Sequence, residues 1–163
     1  MAAKNANKGL PANFTPPFTR VEMKERMDDS LACVATLTNR TLEDITKMAV
    51  DFGLPAHGPC FVNEDMIAKL LMRAGALVAT KYREFVSFDA MPYVAILLVD
   101  YDENTEIGRH VVWHHVKGTK DIPSFSYIID PAYWVAPAGQ LISAVELTQP
   151  AYFIEVTPKP SSK

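Results

Sequence analysis

Two ionisable residues lie at the ends of neighbouring apolar segments in the second half of the chain. His110 opens the run "HVVWHHV", and Asp130 closes the run "FSYIID". If these segments are adjacent antiparallel strands, the start of one lies beside the end of the other. A carboxylate at that point can accept the imidazole proton and fix its tautomer, as an orienting group does for a general base. Such a pair would need a nucleophile from elsewhere in the chain.

The chain has two cysteines as candidate nucleophiles. Cys33 lies in the apolar segment "SLACVATLT", and Cys60 lies in "HGPCFV", where a loop position is favoured. Neither has a CxxC partner, and His110 and His114 on one strand face would lie about 13 Å apart, too far to share a metal ion. We therefore expect no metal and no cofactor.

The elements that must position these residues divide into two groups. Ser30 to Thr38 is a short apolar helix, a second helix begins at Thr41 with a capping box to Asp44, and a third begins at Asn63. Strands are predicted afterwards, with one short helix in "PAGQLISAVEL", at residues 77–86, 93–99, 110–116, 125–129 and 152–156. Helices followed by an antiparallel sheet predict an α+β fold.

Domain organisation follows from composition. Residues 1–19 contain three prolines, with Phe14 and Phe18 as the large apolar anchors, and predict an extended N-terminal arm that binds a protein partner. Residues 20–157 predict a single domain, and 158–163 predict a tail.

Composition and charge narrow the function classes. The 163 residues carry a net charge of −3, with 48% hydrophobic and 21% charged residues, so an electrostatic footprint for nucleic acid is not expected. No apolar run reaches the ~18 residues of a membrane span. Two cysteines and no secretory signal predict a cytoplasmic protein.

The segments around His110 and Asp130 resemble a known family. "GRHVVWHHVKG" and "SYIIDPAYW" are similar to the Gly-x-His-hydrophobic-Val and Tyr-x-x-Asp-Pro patterns of papain-like cysteine peptidases, especially the double-glycine leader peptidases and their bacterial and phage-encoded relatives. "LTNRTLEDI", "MIAKLLMRAG" and "SAVEL…YFIEV" match further segments in the same order, so the resemblance covers roughly residues 20 to 157. It implies a papain-like fold with His110 as general base and Asp130 as its orienting group.

The sequence departs from this family at the nucleophile. A gapless register places Asp29 at the family's cysteine position, at the start of the first helix, whereas another register makes Cys33 the nucleophile. The two positions share a helix face at i, i+4 spacing. The family's glutamine, an oxyanion donor, is also missing from "VEMKERMDD", so that Arg26, Lys24 or the backbone would have to replace it.

Two functions stay open on these grounds. In the first, a cysteine peptidase or amide hydrolase, Cys33 attacks an acyl carbon of a peptide or protein substrate, His110 moves the proton and Asp130 holds His110. In the second, a catalytically dead papain-like fold serves as a structural or binding module, for example in a phage particle or a host-directed complex. The protein would be virion-associated in that phage case. A thiol within about 4 Å of His110 favours the first, and Asp29 at that place favours the second.

Overall fold

The computed structural model describes residues 10–58 and 60–160, and in this part of the chain helices precede an antiparallel sheet, which confirms the α+β prediction. The helices are α1 (Asp29–Thr38), α2 (Leu42–Asp51), α3 (Glu64–Gly75) and the short α4 (Pro137–Gln140). The strands are β1 (Leu77–Ala79), β2 (Arg83–Glu84), β3 (Val94–Asp102), β4 (Ile107–Val116), β5 (Phe125–Ile129), β6 (Leu141–Ile142) and β7 (Pro150–Pro158). None of the described helices combines the length and the apolar character of a membrane span.

α2 and α3 begin at side chains that cap their first turns. The Thr41 hydroxyl accepts a hydrogen bond from the Asp44 backbone N–H at 3.1 Å, and the Asn63 side chain accepts one from Met66 at 2.9 Å, so both side chains cap helix N-termini. α2 and α3 are amphipathic, whereas every residue of α1 except Thr38 is buried. α1 contacts α2, α3 and β4, and it is therefore the central helix that fixes the site.

The sheet has the strand order β1-β7-β3-β4-β5-β6, and β2 pairs separately with β7. β4 is a central strand whose register pairs Val112 with Ile129 of β5 and Trp113 with Ile128. Because side chains alternate along a strand, Val112 and Ile129 face the helices, whereas Trp113 and Ile128 belong to a smaller core on the other side. His110 follows the parity of Val112, and Arg109 that of Trp113.

Gly108 is required by the close approach of the paired strands β3 and β4. A Cβ atom at this position would lie 2.9 Å from both the Leu98 side chain and the Val99 carbonyl oxygen. Real Cβ atoms essentially never approach neighbours so closely, and the carbonyl belongs to a paired strand that cannot easily move. A glycine at this position therefore lets the two strands pair directly beside His110.

Two predicted elements differ from the structure. The single strand predicted for residues 77–86 is two short strands, β1 and β2, because the Glu155 backbone N–H donates to the Thr80 hydroxyl at 3.0 Å and the regular backbone ladder is interrupted there. The single helix predicted in "PAGQLISAVEL" is α4, then β6, then a 3₁₀ turn at Val145–Leu147. There, pairing of Leu141 with Ile129 on the sheet edge overrides helix propensity.

The described part of the predicted N-terminal arm packs on the core. Phe14 makes edge-to-face contacts with Phe125 and Tyr127, with ring centroids 4.8 and 5.3 Å apart, and Phe18 lies 5.2 Å from the ring of His114. The rest of the arm, residues 1–9, and residues 161–163 of the predicted tail lie outside the described residues. Residues 10–19 are therefore attached to the domain through aromatic contacts.

Replacing Phe14 with alanine should lower the free energy of unfolding by about 1–2 kcal/mol, less than for a fully buried phenylalanine. Urea unfolding followed by circular dichroism measures it, and Thr15→Ala, at the exposed neighbouring position, is the control. Equal effects of the two replacements would show that the aromatic contacts do not hold the arm.

Candidate functional site

His110 lies at the centre of a hydrogen-bonded group formed by three separate segments. Its Nδ1 atom is 2.7 Å from Oδ2 of Asp29, and its Nε2 atom is 2.6 Å from the Tyr82 hydroxyl. The His110 backbone N–H also donates to the same Asp29 oxygen, at 2.6 Å. The first residue of α1, the segment between β1 and β2, and β4 therefore meet at one imidazole, and both of its ring nitrogens are occupied.

The Asp29 carboxylate is stabilised as an anion although it is largely buried. Burial raises the pKa of this carboxyl, but the hydrogen bonds and charge of His110 outweigh burial and hold the pKa below its ordinary value. Its place in the first turn of α1 also favours a negative charge. An ionised carboxylate only accepts hydrogen bonds, so Nδ1 of His110 carries a proton.

Tyr82 completes the group as a hydroxyl donor. Burial, and then the neighbouring Asp29 and Glu64 carboxylates, raise the pKa of the Tyr82 hydroxyl well above its ordinary value. The phenol therefore keeps its proton. When the imidazole is neutral, Nε2 of His110 accepts a hydrogen bond from this hydroxyl. Tyr82 was not found from the sequence, because its position depends on the break between β1 and β2.

Asp130 does not pair with His110 as the sequence predicted. Both of its carboxylate oxygens lie 3.0 Å from Nη1 of Arg109, and one accepts the Ala132 N–H at 2.9 Å. The reason is strand parity: Asp130 follows Ile129, so it continues on the face of Ile128 and Trp113, where Arg109 also lies. β4 and β5 are neighbours, as expected, but the Asp130 carboxylate pairs with Arg109 and not with His110.

Cys33 lies in the core one turn along α1 from Asp29, and its side chain has no exposed surface. Burial raises the pKa of the Cys33 thiol well above its ordinary value, and the Asp29 and Asp130 carboxylates raise it further. Such a thiol is protonated and inaccessible at neutral pH. Cys60 is partly exposed in the loop before α3, as the sequence favoured.

The Asp29–His110–Tyr82 group lines a cleft of about 480 Å³ between the start of α1, the start of α3 and the sheet. Of the residues considered as replacements for an oxyanion donor, Arg26 lines this cleft, whereas Lys24 lines a neighbouring cleft and pairs with Glu43. Within residues 10–58 and 60–160, no three His, Cys, Asp or Glu side chains are grouped so that they could hold a metal ion.

No protein-family model matches this sequence, and no curated protein shows significant similarity to it.

The depressed pKa of Asp29 predicts a stability contribution that depends on pH. A carboxyl whose pKa is lower in the folded than in the unfolded state stabilises fully above its unfolded value of 3.8, and this contribution is lost as the pH falls through the folded value. Asp29→Asn should therefore cost about 2 kcal/mol at neutral pH and flatten the loss of stability in acid. Urea unfolding between about pH 3 and pH 7 measures both.

Asp28→Asn is the matched control, because burial raises the pKa of the Asp28 carboxyl and so gives its contribution the opposite sign. Asp28→Asn should therefore make the loss of stability with falling pH steeper. An Asp29→Asn variant with the same acid dependence as the unmodified protein would contradict the assignment of a low pKa to Asp29.

Proposed function

We propose that this protein has a papain-like fold whose hydrolytic site is inactive, and that its cleft binds an extended segment of another polypeptide. One observation carries the proposal: a carboxylate, Asp29, lies 2.7 Å from His110 at the helix start where the family resemblance requires a thiol. The pairing of His110 with Asp130, which the resemblance implies, is absent. The contact between the first helix and the strand that carries His110 is present, and so is the implied order of helices and sheet.

The chemistry of the site supports the inactive form. Asp29 is fixed by two hydrogen bonds to one oxygen and is mostly buried, which leaves it poorly placed to attack a carbonyl carbon. His110 could accept a proton only at Nε2, and Tyr82 occupies that atom. Hydrolysis by Cys33, the competing function, would require this thiol to leave the core and displace Asp29 from His110.

The shape and composition of the cleft support binding. Its volume of about 480 Å³ accommodates a few side chains of an extended chain, and a small group of polar atoms converges among apolar walls. Phe61 is 65% exposed and Ile107 is 43% exposed at the same cleft. Large apolar side chains exposed around a concavity are typical of a surface that a partner covers. A polypeptide partner agrees with the substrate class that the family resemblance implies.

A mixture of unstructured decapeptides tests binding and hydrolysis in one experiment. The backbone amide signals of the ¹⁵N-labelled protein are followed by NMR while the peptides are analysed by mass spectrometry. We expect the signals of Gly108 and His110 to shift while every peptide stays intact. Cleaved peptides would show an active hydrolase, and unshifted cleft signals would show that the cleft does not bind polypeptide.

Two isoleucines of equal exposure supply the matched control variants. Ile107 and Ile122 are both 43% exposed, but only Ile107 is among the residues that line the cleft. Ile107→Trp should fill the cleft and abolish the shifts, whereas Ile122→Trp should leave them unchanged. Equal loss in both variants would place the binding surface outside the cleft.

A further inference from the structure

Three tyrosines from separate segments line the cleft next to His110. The ring of Tyr152 in β7 lies 6.5 Å from that of Tyr82 and 5.5 Å from that of Tyr101 in β3, with interplanar angles of 70° and 83°. Edge-to-face packing of this kind holds neighbouring rings at defined angles and leaves π-faces for a ligand. Phe61 adds a fourth aromatic side chain to the lining.

The charged side chains that line the same cleft are mainly acidic. Asp29, Glu64 and Glu106 contribute carboxylates, and among the described lining residues only Arg26 contributes a permanent cation. Glu64 is fixed in place, because it accepts the Tyr82 backbone N–H at 2.7 Å. Glu106 lies exposed in the hairpin between β3 and β4.

Carboxylates in and beside the hairpin between β3 and β4 lie close to Tyr101. Glu106, Glu103 and Asp102 raise the pKa of the Tyr101 hydroxyl, in addition to a larger effect of burial. Glu106, which lines the cleft together with Tyr101, therefore places negative potential on its tyrosine side. The negative face of each tyrosine ring adds to that potential.

Aromatic faces beside carboxylates recognise organic cations. A cation over a tyrosine ring is attracted by the ring quadrupole, and a carboxylate nearby adds charge pairing. A lysine or arginine side chain also has an aliphatic stem that packs on apolar surface while its charged end reaches a polar rim. Leu98 and Ile107 supply that surface in the same cleft.

We infer that the cleft takes the lysine or arginine side chain of its partner polypeptide, with the cationic end between the tyrosine rings and Glu106. This inference rests on the proposed function, since it names the residue class that the cleft selects. The aliphatic stem would pack on Leu98 and Ile107, and the peptide backbone would pass the Asp29–His110–Tyr82 group.

Blocked pentapeptides of the form acetyl-Ala-Ala-Xaa-Ala-Ala-amide test this selection. Xaa is lysine, arginine, norleucine or glutamate, and binding is measured by NMR titration of the Gly108 and His110 amides. Norleucine keeps the aliphatic stem and removes the charge. We expect the lysine or arginine peptide to bind about tenfold more tightly than the norleucine peptide, and the glutamate peptide to bind most weakly.

Variants of the lining separate the contributions of charge and ring. Glu106→Gln and Tyr152→Leu should each weaken binding of the cationic peptide about fivefold. Glu146→Gln, in the exposed 3₁₀ turn outside the lining, and Tyr93→Leu, at an exposed ring just before β3 that lines another cleft, should leave it unchanged.

Each other outcome overturns a defined statement. Equal binding of the lysine and norleucine peptides would overturn the inference and leave polypeptide binding standing. Tight binding of the cationic peptides that is unaffected by Glu106→Gln and Tyr152→Leu would place the cation outside this cleft and overturn the inference as well. Cleft signals that no peptide shifts would overturn both the inference and the proposed function.

Discussion

Replacement of Asp29 by cysteine is expected to create a reactive thiol where the unmodified chain has none. In a Cys60→Ser background, we expect iodoacetamide at neutral pH to label the cysteine at 29 at least about 100-fold faster than Cys33. The helix N-terminus and the imidazole of His110, 2.7 Å from the present carboxylate, both favour a thiolate at this position. Mass spectrometry of the labelled protein over time gives the two rates.

The parent with Cys60→Ser alone isolates Cys33, and the double variant Asp29→Cys, His110→Gln removes the imidazole. The parent should stay unlabelled in the native state, because its remaining thiol is buried. The double variant should lose most of the rate gained. Rapid labelling of Cys33 in the folded parent would instead support the hydrolase interpretation, with Cys33 as the nucleophile.

Asp130→Ala is expected to lower the free energy of unfolding by about 3 kcal/mol. The replacement leaves the half-buried Arg109 guanidinium without its buried partner and removes the acceptor of the Ala132 N–H. Urea unfolding measures the loss. Asp100→Ala is the matched control, since Asp100 binds the same arginine at 3.1 Å but its side chain is 54% exposed. This second replacement should cost less than about 1 kcal/mol.

A double replacement distinguishes an uncompensated charge from lost packing. Arg109→Met combined with Asp130→Leu removes both charges and keeps much of the volume, so it should regain most of the stability lost in Asp130→Ala. If the double variant is as unstable as the single one, Asp130 stabilises the fold mainly through its backbone contacts. Equal costs for Asp130→Ala and Asp100→Ala would contradict the importance of burial for this pair.

Much of the fold is encoded locally and could be predicted. The caps at Thr41 and Asn63 depend on side chains three residues from the N–H groups they bind, so sequence spacing reveals them. The strands near residues 94, 107 and 150 follow from β-branched and aromatic runs. The break at Thr80 could not be predicted in this way, because it depends on a contact with Glu155, a residue 75 positions away.

The site was predictable in part. The sequence predicted His110 at the start of a strand, whereas β4 begins at Ile107. The gapless register of Asp29 also came from the sequence, and the structure brings the Asp29 and His110 side chains together. The pairing of Asp130 was mistaken because the strand register was unknown, and a shift of one residue moves a side chain to the other face of a sheet. Tyr82 left no local signal, since its hydroxyl reaches His110 through tertiary packing.

Gly108 has a consequence for how signatures of this kind are interpreted. The Gly-x-His pattern looks like the mark of a reaction, yet its first position is explained here by the close approach of two paired strands. A glycine at this position therefore meets a requirement of strand pairing, and it is not by itself evidence of catalysis.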